Sequence, residues 1–155
     1  SGQLDRRKGG PSIKKGTSIE YGYKFETTRR SVYVPIFRNT LLELHEVFDV
    51  ADPNLVMGRR NVSTTSTQAL YLLNSPFALE QAKHAAIESL ESKEKRRIER
   101  AYWKTLGRSP TVKEKQLATR FLSSLTKSST EKERIQTWAR LYQVLFACVD
   151  FRYLN

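Results

Sequence analysis

RIERAYWKTLGRSPTVKEKQLATRFLSSLTKSSTEKERIQTWARLYQVLFACV, residues 97–149, is the stretch of the chain that decides the fold. Apolar residues recur in it every three or four positions, which is the spacing of one face of a helix. Gly107 ends the first stripe, as glycine commonly does at a helix C-terminus. Thr111 and Glu114 have the spacing of a capping box, which predicts that a second helix begins there. A third stripe covers residues 135–149, so we expect a helical hairpin and a closing helix.

The second and third helices have predicted inward faces. For the second helix the face consists of Leu117, Ala118, Phe121, Leu122 and Leu125. For the third helix it consists of Ile135, Trp138, Ala139, Tyr142, Leu145, Phe146 and Val149.

Weaker helical patterns precede this stretch. Ser75 followed by Pro76 predicts a helix start, because serine caps helices and proline is tolerated at the first helical position. That helix is expected to reach about residue 92, with an inward face of Phe77, Ala78, Ala82, Ala85 and Ala86. A two-turn helix is expected at 68–73, and a short one after residue 40, capped by Asn39 or Thr40.

The N-terminal part of the chain lacks a helical period. Residues 1–30 contain five of the seven glycines and are predicted to form an extended basic arm, with short strands at 18–25. Residues 31–37 are β-branched and aromatic but include Pro35, so an edge strand or an extended packed segment is expected. The sequence therefore predicts a mainly α domain at 31–155, with five or six helices, as a fragment of a larger multidomain protein.

Composition excludes several classes of function. The 155 residues suit one domain, and no apolar stretch is long enough to span a bilayer. Cys148, the one cysteine, lies in an apolar run and is predicted to be a small buried side chain. His45 and His84 have no partner motif for a metal or a nucleophile, and His45 is expected at a surface or half-buried position. We therefore expect no catalytic residues, no metal and no cofactor in this chain.

The charge of the chain is strongly basic and unevenly distributed. The formal net charge is +11, and residues 93–120 carry ten basic and three acidic side chains. Such a distribution is typical either of a surface that binds a polyanion, meaning nucleic acid or a sulfated glycan, or of a solvated helix face with internal ion pairs. The candidate polyanion-binding residues are Arg96, Arg97, Arg100 and Lys104 on the helix, with Lys14 and Lys15 in the arm.

An ordered set of motifs extends over nearly the whole chain. The motifs are SGQLD (1–5), GGP (9–11), RRSVYVP (29–35), FD (48–49), DPN (52–54), RRNVST (59–64), TQAL (67–70), LNSPF (73–77), LGRSPT (106–111) and FRYLN (151–155). In these motifs the chain resembles the C-terminal domain of unknown function of large secreted planctomycete proteins that also carry a c-type cytochrome module.

The resemblance implies context rather than an activity. It implies an exported, extracytoplasmic protein in which this domain has neighbouring domains, and in some members a polysaccharide, as partners. Haem would belong to a separate module, because this chain has no Cys-x-x-Cys-His motif. A polar cluster has the family-like positions, which are Arg59, Arg60, Asn61, Thr64, Thr67 and Gln68. The alternative for this cluster is a polar connection that satisfies backbone groups and caps a helix.

Overall fold

The structure is a computed structural model that describes residues 1–13, 27–37, 41–51, 54, 58, 65–92, 96–123 and 130–153. Within these ranges there are seven α-helices and no strand, which confirms the prediction of a mainly helical fold. The helices are α1 (Glu43–Val47), α2 (Thr65–Asn74), α3 (Pro76–Glu91), α4 (Arg97–Leu106), α5 (Val112–Leu122), α6 (Glu131–Ala147) and α7 (Val149–Arg152). None of them is both long and apolar enough to cross a bilayer.

The chain divides into two units. The first is Gln3–Thr64 and contains α1, and the second is Thr65–Asn155 together with Ser1–Gly2 and contains α2 to α7. The predicted arm at 1–30 stays a prediction, because the expected strands at 18–25 and the side chains of Lys14 and Lys15 lie outside the described residues.

Short polar motifs determine where the helices of the larger unit begin and end. The Ser75 hydroxyl accepts the Ala78 N–H at 3.2 Å at the start of α3. At the end of α4, Gly107 has a φ of 68° in the left-handed region and donates its N–H to Trp103 O. The Thr111 capping box at the start of α5 is complete. All three predicted helix boundaries are therefore confirmed.

The core of the larger unit combines large side chains, most of the buried ones from α6, with buried alanines from several other helices. Helix α6 contributes Trp138, Leu141, Tyr142, Leu145 and Phe146, all of which are buried. The surfaces that receive them are rich in alanine, namely Ala82, Ala85 and Ala86 on α3, Ala101 on α4 and Ala118 on α5. Small residues let helix axes approach closely, so α6 packs against α3, α2 and α4. The predicted alanine face of α3 is confirmed.

Four side chains predicted to face inward are instead exposed. One is Val149, which begins α7 rather than continuing α6 and is 58% exposed. Leu117 and Phe121 on α5 are 64% and 42% exposed, and Phe77 at the start of α3 is 46% exposed. In α5 the side chains that contact the core are Ala118 and Leu122, so only part of the apolar stripe is covered. Phe77 lies one residue before the row of buried alanines on α3 that begins at Ala78. For these positions the prediction was wrong. Leu125 lies outside the described residues.

The smaller unit departs from the sequence prediction at two places. Residues Ser31–Tyr33 form a 3-10 turn rather than a strand, and the backbone becomes extended at Val34. Helix α1 begins at Glu43, with Leu42 at the N-cap and no side-chain cap, so the predicted cap at Asn39 or Thr40 was wrong.

Candidate functional site

The basic flank of α4 is the surface that the sequence singles out for anions. In the structure, Arg97 donates to the carbonyl oxygens of Ser92, at 3.1 Å, and Leu90, at 3.4 Å, at the end of α3. Arginine commonly satisfies the last carbonyls of a helix in this way. Arg100 donates to the Ser92 hydroxyl at 3.1 Å. These two guanidinium groups therefore hold the end of α3 against the start of α4.

Lys104 and Arg96 occupy the two ends of the same flank. Lys104 forms an ion pair with Glu88 of α3, and this contact lowers the pKa of Glu88. Arg96, at the N-cap position of α4, is exposed, and its guanidinium makes no hydrogen bond or ion pair with a described residue. The structure thus brings the four predicted α4 cations to one helix, gives three of them contacts with α3, and leaves Arg96 directed to solvent.

The polar cluster of family-like positions is described only in part. Thr67 and Gln68 lie in the first turn of α2, where Gln68 is buried and Thr67 is exposed. Arg59, Arg60, Asn61 and Thr64 lie outside the described residues. Whether the cluster binds a ligand or caps a helix therefore stays a prediction.

Sequence reasoning missed an ionic network at the corner between α4 and α5. The guanidinium of Arg108 donates to both carboxylate oxygens of Glu114, at 2.8 and 2.9 Å, and to Asp150 of α7 at 2.8 Å. The hydrogen bonds from Arg108, and after them the hydrogen bond from the Thr111 amide, bring the pKa of Glu114 down to about 2 against the opposing effect of burial. Glu114 therefore caps α5 and pairs with Arg108 at the same time.

A second ion pair ties α4 to α5 on the outer side of this corner. Lys115 Nζ lies 2.7 Å from Glu99 Oε1, and this contact lowers the pKa of Glu99. The exposed Trp103 donates its indole N–H to the Ser109 hydroxyl at 3.0 Å. In the sequence, the capping-box residue Glu114 with Arg108 nearby was one indication of this ionic network. Nothing in the sequence indicated that Asp150 belongs to it.

The remaining candidate residues are single side chains. Cys148 is partly buried, donates to Val144 O at 3.3 Å, and has a pKa raised mainly by burial. His45 is buried, with 3% of its surface exposed, so the expectation of a surface or half-buried histidine was wrong. Among the described residues, no group of three or more histidine, cysteine or acidic side chains is arranged to hold a metal ion.

Comparison with known protein families identifies the family of this chain. The family model for PSD1, described as a protein of unknown function (DUF1553), matches residues 1–122. The match covers most of the chain, and the chain therefore belongs to this family. Neither a curated protein nor a solved structure matches it.

Proposed function

We propose that the chain, as a member of this family of unknown function, is a non-catalytic scaffold or docking domain of a larger exported protein that also carries a c-type cytochrome module. In this proposal the haem belongs to the other module, and the present chain holds that module, or a polysaccharide, in place. The resemblance described above supports the exported, extracytoplasmic context. The surface of the helical unit supports the docking role.

The observation that carries the proposal is the incompletely covered apolar face of α5. Leu117 and Phe121 are one helical turn apart, are 64% and 42% exposed, and do not belong to the core cluster. Contiguous exposed apolar surface on a folded domain commonly marks a site of protein interaction. Full burial of one such side chain contributes roughly 1.5–3 kcal/mol. Burial of Leu117 and Phe121 by a partner would therefore supply a substantial part of the binding free energy of a weak or moderate complex.

The test measures binding between this chain and the module of the parent protein that adjoins it in the coding sequence. That module is expected to contain Cys-x-x-Cys-His, and titration calorimetry would give the dissociation constant. We expect the double substitution Leu117→Ser with Phe121→Ser to weaken binding at least tenfold. Leu70→Ser, which removes an exposed leucine from α2, is the matched control and should leave the affinity unchanged. Absence of binding by the unsubstituted chain would refute the proposal.

A polyanion-binding role is the second candidate, and the net charge of +11 favours it. Because Arg97, Arg100 and Lys104 contact α3, we assign the direct anion contact on α4 to Arg96. Affinity for a DNA duplex should fall linearly with the logarithm of salt concentration, and Arg96→Glu should reduce that slope by about 1. Lys113→Glu on α5 is the control, and a sulfated polysaccharide as competitor identifies the preferred polyanion. If the salt dependence of the affinity is unchanged in Arg96→Glu, α4 is not part of a polyanion-binding site.

A further inference from the structure

A cleft of about 750 Å³ lies between α3 and α6 in the helical unit. Near one end of α6, Gln143 donates its side-chain N–H to Leu73 O in the last turn of α2. The apolar part of the lining consists of Leu79 of α3 with Ile135 and Ala139 of α6. Leu79 is 40% exposed, so the cleft presents apolar surface to solvent.

Cations surround this apolar surface. Lys83 lies one turn after Leu79 on α3, and Lys132 and Arg140 lie on α6. The side chains of these three residues make no hydrogen bond or ion pair with any residue that the structure describes. Glu131 is the one acidic side chain in the lining, so the cleft has a net charge of +2. Elsewhere in the unit, Lys104, Arg108 and Lys115 all pair with carboxylates.

The lining residues of α6 follow the repeat of a helix surface. Apart from Glu131, at the first position of α6, they fall at positions 132, 135, 136, 139, 140 and 143, so that lining residues recur every three or four positions. At 1.5 Å per residue these positions extend over about 16 Å, which is the length of three turns of a second helix. A helix that lies in a groove of this kind presents its own apolar residues at the same spacing.

We propose that the cleft between α3 and α6 is the docking groove for an acidic amphipathic helix of a partner polypeptide. Apolar side chains of the guest helix would cover Leu79, Ile135 and Ala139. Aspartate or glutamate side chains one turn apart on its flanks would pair with Lys83 on one side and with Lys132 and Arg140 on the other. This inference rests on the proposed docking function. It adds a second docking surface, apart from the apolar face of α5, and names the chemistry of the partner segment that binds there.

The apolar surface of the cleft distinguishes this guest from a nucleic acid. A phosphate backbone would pair with the three cations but would leave the leucine and isoleucine side chains uncovered. Complementary charges around an apolar contact instead fix the register of a guest helix and increase its rate of association. The positive charge and the apolar surface of the cleft therefore both favour an acidic amphipathic helix.

The first test uses a synthetic helical peptide of about 14 residues with leucines on one face and glutamates on its flanks. Its affinity for the full chain is measured by fluorescence anisotropy at about 150 mM salt. We expect Lys83→Glu with Arg140→Glu to weaken binding at least tenfold. The control, Lys113→Glu with Arg120→Glu, makes the same change in net charge on exposed cations of α5 and should weaken binding less than threefold.

Two further probes test the apolar part of the inference. A peptide with serines in place of the leucines should not bind, and Leu79→Ser should weaken the original peptide several-fold. Equal losses in the two charge-reversed variants would overturn the inference, because they would show attraction to net charge alone. Self-association of the chain that Lys83→Glu with Arg140→Glu abolishes would also overturn it, since a second copy would then be the occupant.

Binding of the adjoining module of the parent protein distinguishes failure of this inference from failure of the proposed function. If that module binds and Lys83→Glu with Arg140→Glu leaves its affinity unchanged, while the peptide also fails to bind, the docking function stands and the cleft proposal fails. If the module does not bind but the peptide binds with the expected pattern, the proposed parent context fails and the groove remains a site for an acidic helix.

Discussion

A buried hydrogen bond joins α3 to α6 and allows a quantitative test of the core. The hydroxyls of Ser89 and Tyr142 are 2.5 Å apart, and both side chains are buried. Tyr142→Phe removes one hydroxyl and keeps the ring, whose centroid is 6.1 Å from that of Phe146. Ser89→Ala removes the other hydroxyl with little change in volume. Each single substitution leaves one buried hydroxyl without its partner.

The magnitudes follow from this loss of pairing. A buried polar group without a partner costs about 1–3 kcal/mol, whereas replacing both partners with apolar groups of the same shape is nearly neutral. We therefore expect each single substitution to lower the free energy of unfolding by about 1–3 kcal/mol. The double substitution should cost less than the sum of the two, with a coupling energy of roughly 1–3 kcal/mol.

Urea unfolding followed by circular dichroism at 222 nm gives these free energies by linear extrapolation. Tyr102→Phe is the matched control, because Tyr102 is a core tyrosine of the same unit and makes no hydrogen bond through its hydroxyl to a residue that the structure describes. Its expected effect is within about 0.5 kcal/mol. If the costs of Ser89→Ala and Tyr142→Phe simply add in the double variant, the two hydroxyls do not interact and the reasoning is refuted.

Three further substitutions test the helix ends and the ionic corner. Because the pKa of Glu114 is about 2, below the ordinary 4.5, its ionised form adds stability above pH 4.5 that is lost as the pH falls towards 2. Arg108→Met should therefore reduce the fall in melting temperature between pH 4.5 and pH 2. The control Arg120→Met should leave that fall unchanged. Gly107→Ala should cost roughly 1–2 kcal/mol in urea unfolding, because the left-handed φ is strained and no neighbouring atom interferes, whereas Gly107→Asn should cost less. Thr130→Ala should lower the free energy of unfolding by about 1 kcal/mol through loss of the α6 capping box, and Thr130→Ser should keep it. A Thr130→Ser variant as unstable as Thr130→Ala would contradict the capping argument.

The helix boundaries were predictable because their causes are local. Ser75, Gly107 and Thr111 each act on backbone groups three or four residues away, and such spacing is visible in the sequence. The capping box of Thr130 with Glu133 has the same four-residue pattern and could have been predicted in the same way.

The burial of α5 and the contacts of the basic flank were not predictable, because they depend on how helices pack together. Leu117 and Ala118 belong to one apolar stripe, and only the position of the neighbouring helices decides that the alanine is covered and the leucine is not. Arg97 turns to the end of α3 because the fold brings that helix end beside it. The Arg108 partner Asp150 is 42 residues away in the chain. No periodicity encodes such a pairing.

The packing of α6 against the alanine-rich surfaces determines where the chain can be truncated without loss of the fold. The family match ends at residue 122, which is the last residue of α5, whereas Trp138, Tyr142 and Leu145 come from beyond it. A polypeptide that stopped at the end of the match would keep Ala82, Ala86 and the other receiving surfaces, together with Tyr102, but would lose the large side chains of α6 that fill them. The limit of sequence similarity is therefore not the limit of the autonomous folding unit. A truncation there should give an insoluble or protease-sensitive product, whereas one that retains α6 should fold.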